Sequence, residues 1–139
     1  MIRNKTYVTL LSSAARSADT EVDETTLPHK PYNNLRPSRT NVTFFEAQGV
    51  HFILDVTAIV SGTITFVLEG YDPASNDYYT VLQGSAISST GTSIYKIGVG
   101  FTPVANATAN DFFPAQWRIT IDHSGSNSAT YSLGAWIYG

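Results

Sequence analysis

Glu69-Gly70-Tyr71-Asp72-Pro73-Ala74-Ser75-Asn76-Asp77-Tyr78-Tyr79-Thr80, the centre of the stretch Gly49–Leu82, decides how this chain is read. On its N-terminal side two strand-like runs alternate with period two. In Val50–Ala58, Phe52, Leu54 and Val56 point one way and His51, Ile53 and Asp55 the other. In Thr63–Glu69, Ile64, Phe66 and Leu68 fall between threonines and Glu69. Tyr78–Leu82 follows as a third run. Alternation rich in β-branched and aromatic residues, bounded by turn residues, predicts antiparallel β-structure. Asp72–Asp77 is the turn: Pro73 presets φ, and Asp72 and Asn76 bond their own backbone or accept left-handed geometry. Ser61-Gly62 is read as a hairpin turn joining the first two runs.

A chain of 139 residues is long enough for one domain with its own core. Hydrophobic residues make up 42% and charged residues only 14%, well under the usual quarter. Serine and threonine fill the gap, at about a fifth of the chain. That mix suits sheets with polar, uncharged outer faces, and surfaces held against other protein. With a net charge of −3 and 8 Lys plus Arg, no basic stripe is available to neutralise phosphates, so no nucleic-acid partner is expected. The absence of cysteine excludes disulfides and thiol chemistry. No apolar run reaches membrane-spanning length, and no membrane partner is expected. Tyr7-Val8-Thr9-Leu10-Leu11 is too short and polar for a secretion signal, so synthesis in a cytoplasm, mature as written, is expected.

The remaining chain extends the β pattern. Lys5–Ser12 reads as a first strand, with Ser13–Arg16 extending it or turning. Asn41–Phe45 reads as a short strand. Ser93–Val99 puts Tyr95, Ile97 and Val99 on one face and Ile94 and Lys96 on the other. Phe101–Phe113 is loop. Gln116–His123 sets Trp117, Ile119 and Ile121 inward, and Ser124–Ser128 reads as a hairpin connection. In Thr130–Tyr138, Tyr131, Leu133, Ala135 and Ile137 oppose Ser132, Gly134, Trp136 and Tyr138. Seven or eight short strands with no helix predict an all-β fold, an antiparallel β-sandwich of jelly-roll type.

Ala18–Asn41 differs in kind. An acidic half, Asp19 to Glu24, precedes a basic half with three prolines in the ten residues Pro28–Pro37. Prolines at that density exclude helix and favour extended backbone. The segment is too long for an ordinary loop, and predicts a proline-rich arm that orders against a neighbouring subunit. The domain reading is therefore residues 1–17 as first strand, 18–48 as arm or loop, and 49–139 as sandwich core, within one domain. The arm's expected contacts are Asp19, Glu21, Asp23, Glu24, Lys30, Tyr32, Leu35, Arg36 and Arg39.

Several segments, in order, resemble a family of small β-sandwich virion proteins of tailed bacteriophages. They are Leu10-Leu11-Ser12-Ser13-Ala14-Ala15-Arg16, Gly49–Ala58, Gly70–Thr92, and Phe113-Pro114-Ala115-Gln116-Trp117-Arg118 running on to Gly134. The resemblance spans most of the chain outside roughly Asp19–Phe45. It implies a structural role on the phage particle, made in the host bacterial cytoplasm: a capsid decoration (cement) protein that binds the major capsid protein and itself. Closed symmetry is expected for such an assembly, with a trimer as first expectation. Two other readings compete, a neck, tail or fibre-base component and a glycan-binding module. Trp136 and Tyr138 are the candidate exposed aromatic contacts for either kind of recognition.

No catalytic, cofactor or metal site is predicted. His29, His51 and His123 show no ligand spacing. His51 and Asp55 share a strand face but lack an identifiable nucleophile. Asp72, Asn76 and Asp77 carry hard oxygens, yet their turn positions account for all three.

Overall fold

The structure, a computed structural model, describes residues 5–23, 47–125 and 127–139. Nine strands form among them: β1 (Lys5–Arg16), β2 (Thr20–Asp23), β3 (Gly49–Val60), β4 (Ile64–Asp72), β5 (Asp77–Gln83), β6 (Gly91–Gly98), β7 (Thr108–Ala109), β8 (Trp117–His123) and β9 (Ser128–Tyr138). The described residues contain no helix. The first sheet has the order β1-β9-β3-β6-β7, the second β2-β8-β4-β5. Every pairing is antiparallel except β6 with β7.

The pairings nest. β4 pairs with β5, β3 with β6, β2 with β8, and β1 with β9. The chain is thus one long hairpin bent across two sheets, with Asp72–Asp77 at its apex. Turn chemistry holds that apex. Asp72 Oδ1 accepts from the Ala74 amide at 3.0 Å and Oδ2 from Ser75 Oγ at 2.8 Å. Asn76 adopts φ +56° and accepts from Tyr71 Oη at 2.9 Å. Those bonds hold the Asp72 carboxyl below its ordinary range, Ser75 contributing most.

Both sheets bury their inward residues in one core. The first contributes Phe52, Leu54, Tyr95, Tyr131, Leu133 and Ile137 among others, the second Val22, Ile64, Phe66, Leu68, Trp117, Ile119 and Ile121. Phe66 bridges the sheets: its ring stacks on Tyr95 at 4.2 Å between centroids and lies 5.5 Å from Phe52. The inward faces expected for the stretches at Val50–Ala58, Gln116–His123 and Thr130–Tyr138 are the buried faces of β3, β8 and β9.

Five expectations change, the smallest being that Phe101–Phe113, read as loop, contains the two-residue strand β7, which pairs with β6. Ser61-Gly62 is not a hairpin turn, because β3 and β4 lie in different sheets. β3 already has β9 and β6 on its two edges, so the chain leaves that sheet through left-handed Ser61 (φ 55°) and Gly62 (φ 64°). Ser124–Ser128 likewise joins strands of different sheets. The two crossings are tied together, since Thr63 N donates to Ser124 Oγ at 2.7 Å and Ser124 N to Thr63 O at 2.9 Å. Thr20–Asp23, assigned by sequence to the arm, is instead an edge strand on β8 with Val22 inward. Val99 is 55% exposed, because β6 ends at Gly98 and the backbone turns through Gly100 at φ 89°. The sequence reading of Asn41–Phe45 as a strand lies outside the described residues, as does most of the arm.

A core centred on Phe66 makes a definite expectation. Phe66→Ala should cost about 3–5 kcal/mol in urea unfolding, the usual range for a buried phenylalanine. Phe112→Ala, at a side chain 76% exposed, should change stability by less than about 0.5 kcal/mol. Equal losses at the two positions would contradict the assignment of the core.

Candidate interaction faces

Each sheet turns one face outward, and the two faces differ in chemistry. On the second sheet, period-two alternation sends Glu69 of β4 and Arg118 and Asp122 of β8 away from the core. Arg118 Nε donates to Glu69 Oε1 at 2.9 Å, and Nη1 lies 3.8 Å from Glu21 Oε2. Its guanidinium sits 3.7 Å above the Tyr78 ring centroid. The bond to Glu69 and the neighbouring carboxylates raise the Arg118 pKa further above its already high value. Around this group runs a polar trough of about 480 Å³, lined by Asp19, Glu21, Glu69, Thr80, Gln83 and Asp122 among others. Partial burial raises the Asp122 pKa above the ordinary carboxylate value, and the nearby Asp19 and Glu69 raise it further.

The outer face of the first sheet is aromatic and aliphatic. Registers across β1, β9, β3 and β6 align Tyr7, Trp136, His51 and Lys96 in one row. Gly134, Ile53 and Ile94 align in the next. Tyr7 is 49% exposed, Ile94 49% and Trp136 36%. Tyr7 meets Trp136 edge-on at 5.2 Å between centroids. The Tyr7 ring also lies across Gly134, where any Cβ would collide with it. Glycine at that site lets the ring lie flat on the sheet. His51 packs edge-on to Tyr138 at 5.0 Å and Phe101 at 6.1 Å. Its pKa is lowered by burial and then by the positive Lys96 beside it.

Trp136 therefore stands exposed on this face, and Tyr138 is half-buried against His51. Of the arm residues, Asp19, Glu21 and Asp23 are described, and they sit at or in β2. Asp19 Oδ1 accepts from the His123 amide at 2.7 Å, and Glu21 faces Arg118 of its own chain. Glu24, Lys30, Tyr32, Leu35, Arg36 and Arg39 lie outside the described residues, as does His29.

His51 and His123 do not converge, since His51 is on an outer face while His123 joins a polar chain between the sheets. His123 Nδ1 lies 3.2 Å from Asn127 Oδ1, and Nε2 lies 2.9 Å from Tyr131 Oη. Tyr131 Oη in turn donates to Thr20 Oγ1 at 3.1 Å. This chain pins β2, β8 and β9 together. Sequence reasoning missed it, because its members are 111 residues apart at the extremes. Among the described residues no group of three His, Cys, Asp or Glu side chains is arranged to hold a metal ion.

Compared with known proteins, the chain matches no family model and no curated protein.

The raised Asp122 pKa has a stability consequence of definite sign. A carboxylate whose folded pKa exceeds its unfolded one binds protons more readily when folded, so its contribution falls as pH rises through that range. Asp122→Asn should therefore stabilise the protein at pH 7, by no more than about 0.5 kcal/mol for so exposed a charge. In thermal melts the advantage should shrink as the pH falls through the raised folded-state pKa and vanish below the unfolded-state value, about 3.9 for an aspartate.

Proposed function

We propose that this protein is a structural component of a tailed-phage virion, a capsid decoration (cement) protein that binds the outer shell as a homo-oligomer. The observation that carries this reading is the division between the two outer faces. The second sheet presents ion pairs and a polar trough to water. The first presents Tyr7, Trp136, Ile53 and Ile94, the kind of face that soluble proteins cover with another protein. Such a division suits a protein whose work is contact.

Two further observations support it. The strand orders β1-β9-β3-β6 and β2-β8-β4-β5, with nested antiparallel pairs, fit a jelly-roll sandwich with β7 as an added edge strand. Viral capsid domains use that architecture repeatedly. The resemblance of the segments outside Asp19–Phe45 to small phage virion proteins points the same way.

The mechanism is mechanical. A filled shell fails where capsomers separate, and a protein bound across the joint adds interface that must break first. Many identical sites make weak individual contacts sufficient. Lys30, Tyr32, Leu35, Arg36 and Arg39 of the proline-rich segment are the proposed contacts with the shell, their charges setting register more than affinity.

Two experiments test the proposal. Added back to particles that lack it, the protein should saturate at several hundred copies, on the order expected for many equivalent sites. Saturation at about a dozen, the size of a closed ring, would move it to the neck or tail. No binding, together with Trp136-dependent binding on a glycan array, would favour a carbohydrate-binding module. In the second experiment, residues 24–46 are replaced by a short Gly/Ser linker, which leaves β2 in place. This variant should keep its urea midpoint within about 0.5 M of wild type, since loop length costs little, yet lose particle binding.

A further inference from the structure

The outer face of the first sheet has opposite charges at opposite ends of an apolar centre. Ile53 of β3 and Ile94 of β6 are direct cross-strand partners and form that centre. Asp55 pairs with Thr92 at one end, and His51 with Lys96 at the other. Asp55 and Lys96 are therefore four residues apart along the sheet and one strand across, about 14 Å by strand geometry. That is too far for an ion pair within the chain, and neither residue enters one among the described residues. Among the described residues, the Asp55 carboxylate accepts only a hydroxyl bond, from Thr92 Oγ1 at 3.2 Å.

We infer that a second copy of this chain covers this face, the two copies being related by a two-fold axis through the Ile53–Ile94 centre. The axis lies in the interface plane, perpendicular to the diagonal from Asp55 to Lys96. Rotation about it lays the apolar centre of one copy on that of the other. It also exchanges the ends of the diagonal, so each Lys96 meets Asp55 of the second copy. One operation thus covers Ile53 and Ile94 and supplies both charges with partners. An isologous contact requires this self-complementarity. An unrelated partner would have to reproduce the same arrangement independently. The neighbouring Tyr7 and Trp136 extend the patch over β1 and β9, where exposed aromatics serve as anchors in protein interfaces. The inference rests on the homo-oligomer part of the proposed function, and sets a two-fold in place of the threefold expected from sequence.

A charge exchange on the full-length protein tests it. Light scattering after size exclusion should give a dimer, or an even multiple, for the wild type. Lys96→Glu and Asp55→Lys should each weaken association by at least about tenfold, because each sets like charges face to face. The double variant D55K/K96E should recover most of the wild-type affinity. Ile94→Glu, at an exposed position, should give a monomer that keeps the wild-type circular dichroism spectrum and urea midpoint. A wild-type monomer at the highest soluble concentration, a trimer, or a double variant no better than either single one overturns the inference. Particle add-back with the same variants separates the two claims. A wild type that pairs but does not bind particles counts against the decoration reading alone. A wild type that is monomeric yet decorates particles counts against the pairing alone.

Discussion

The structure depends on nested pairing about a single apex. β4 and β5 meet through the Asp72–Asp77 turn, and each further pair, β3 with β6, β2 with β8 and β1 with β9, encloses the one before it. This arrangement fixes which strand can neighbour which. It places the chain's most local contacts at the apex and its most distant ones at β1–β9. The inter-sheet links at Ser61-Gly62 and Ser124 are bonded to each other for a further reason: β3 also pairs with β9 and β4 with β8, so the two crossings run side by side. Folding that ends in pairings across more than 100 residues is expected to be slow relative to helical domains of this size.

The strand pattern was legible wherever one face is fully buried. The alternation in Phe52, Leu54 and Val56, or in Trp117, Ile119 and Ile121, leaves no second assignment of faces. Strand partners were not legible, because alternation and turn residues describe a strand and its end but not the sheet it joins. Ser61-Gly62 carries the left-handed geometry that hairpins favour, and here it serves a crossing. β2 escaped notice for a different reason. It has four residues and a single buried side chain, Val22, set among carboxylates. Those charges suit an edge strand that must not pair with strangers, but in sequence they resemble a solvated arm.

Of the candidate contact residues, Trp136 could be found from its place opposite the core residues of β9. Its neighbours could not, since Tyr7, His51 and Ile53 come from two other strands and meet only through register. The Arg118 group has the same character: Glu21, Glu69, Tyr78 and Arg118 come from four strands. Surface chemistry on a sheet is assembled across strands, and a reading along the chain sees only one column of it at a time.

The pairing of β1 with β9 sets Lys5 opposite Tyr138. Tension applied between those two points acts on the ladder from one end, so its hydrogen bonds open singly, as in a zipper. Each step then resists with the strength of about one bond, net roughly 1 kcal/mol. Tension applied between Arg16 and Tyr138, at opposite ends of the same ladder, loads the bonds together in shear. The domain is therefore mechanically anisotropic, weak along one line of pull and strong along another. In an assembly under strain, the direction from which force enters the sheet would govern its resistance more than the number of bonds it contains.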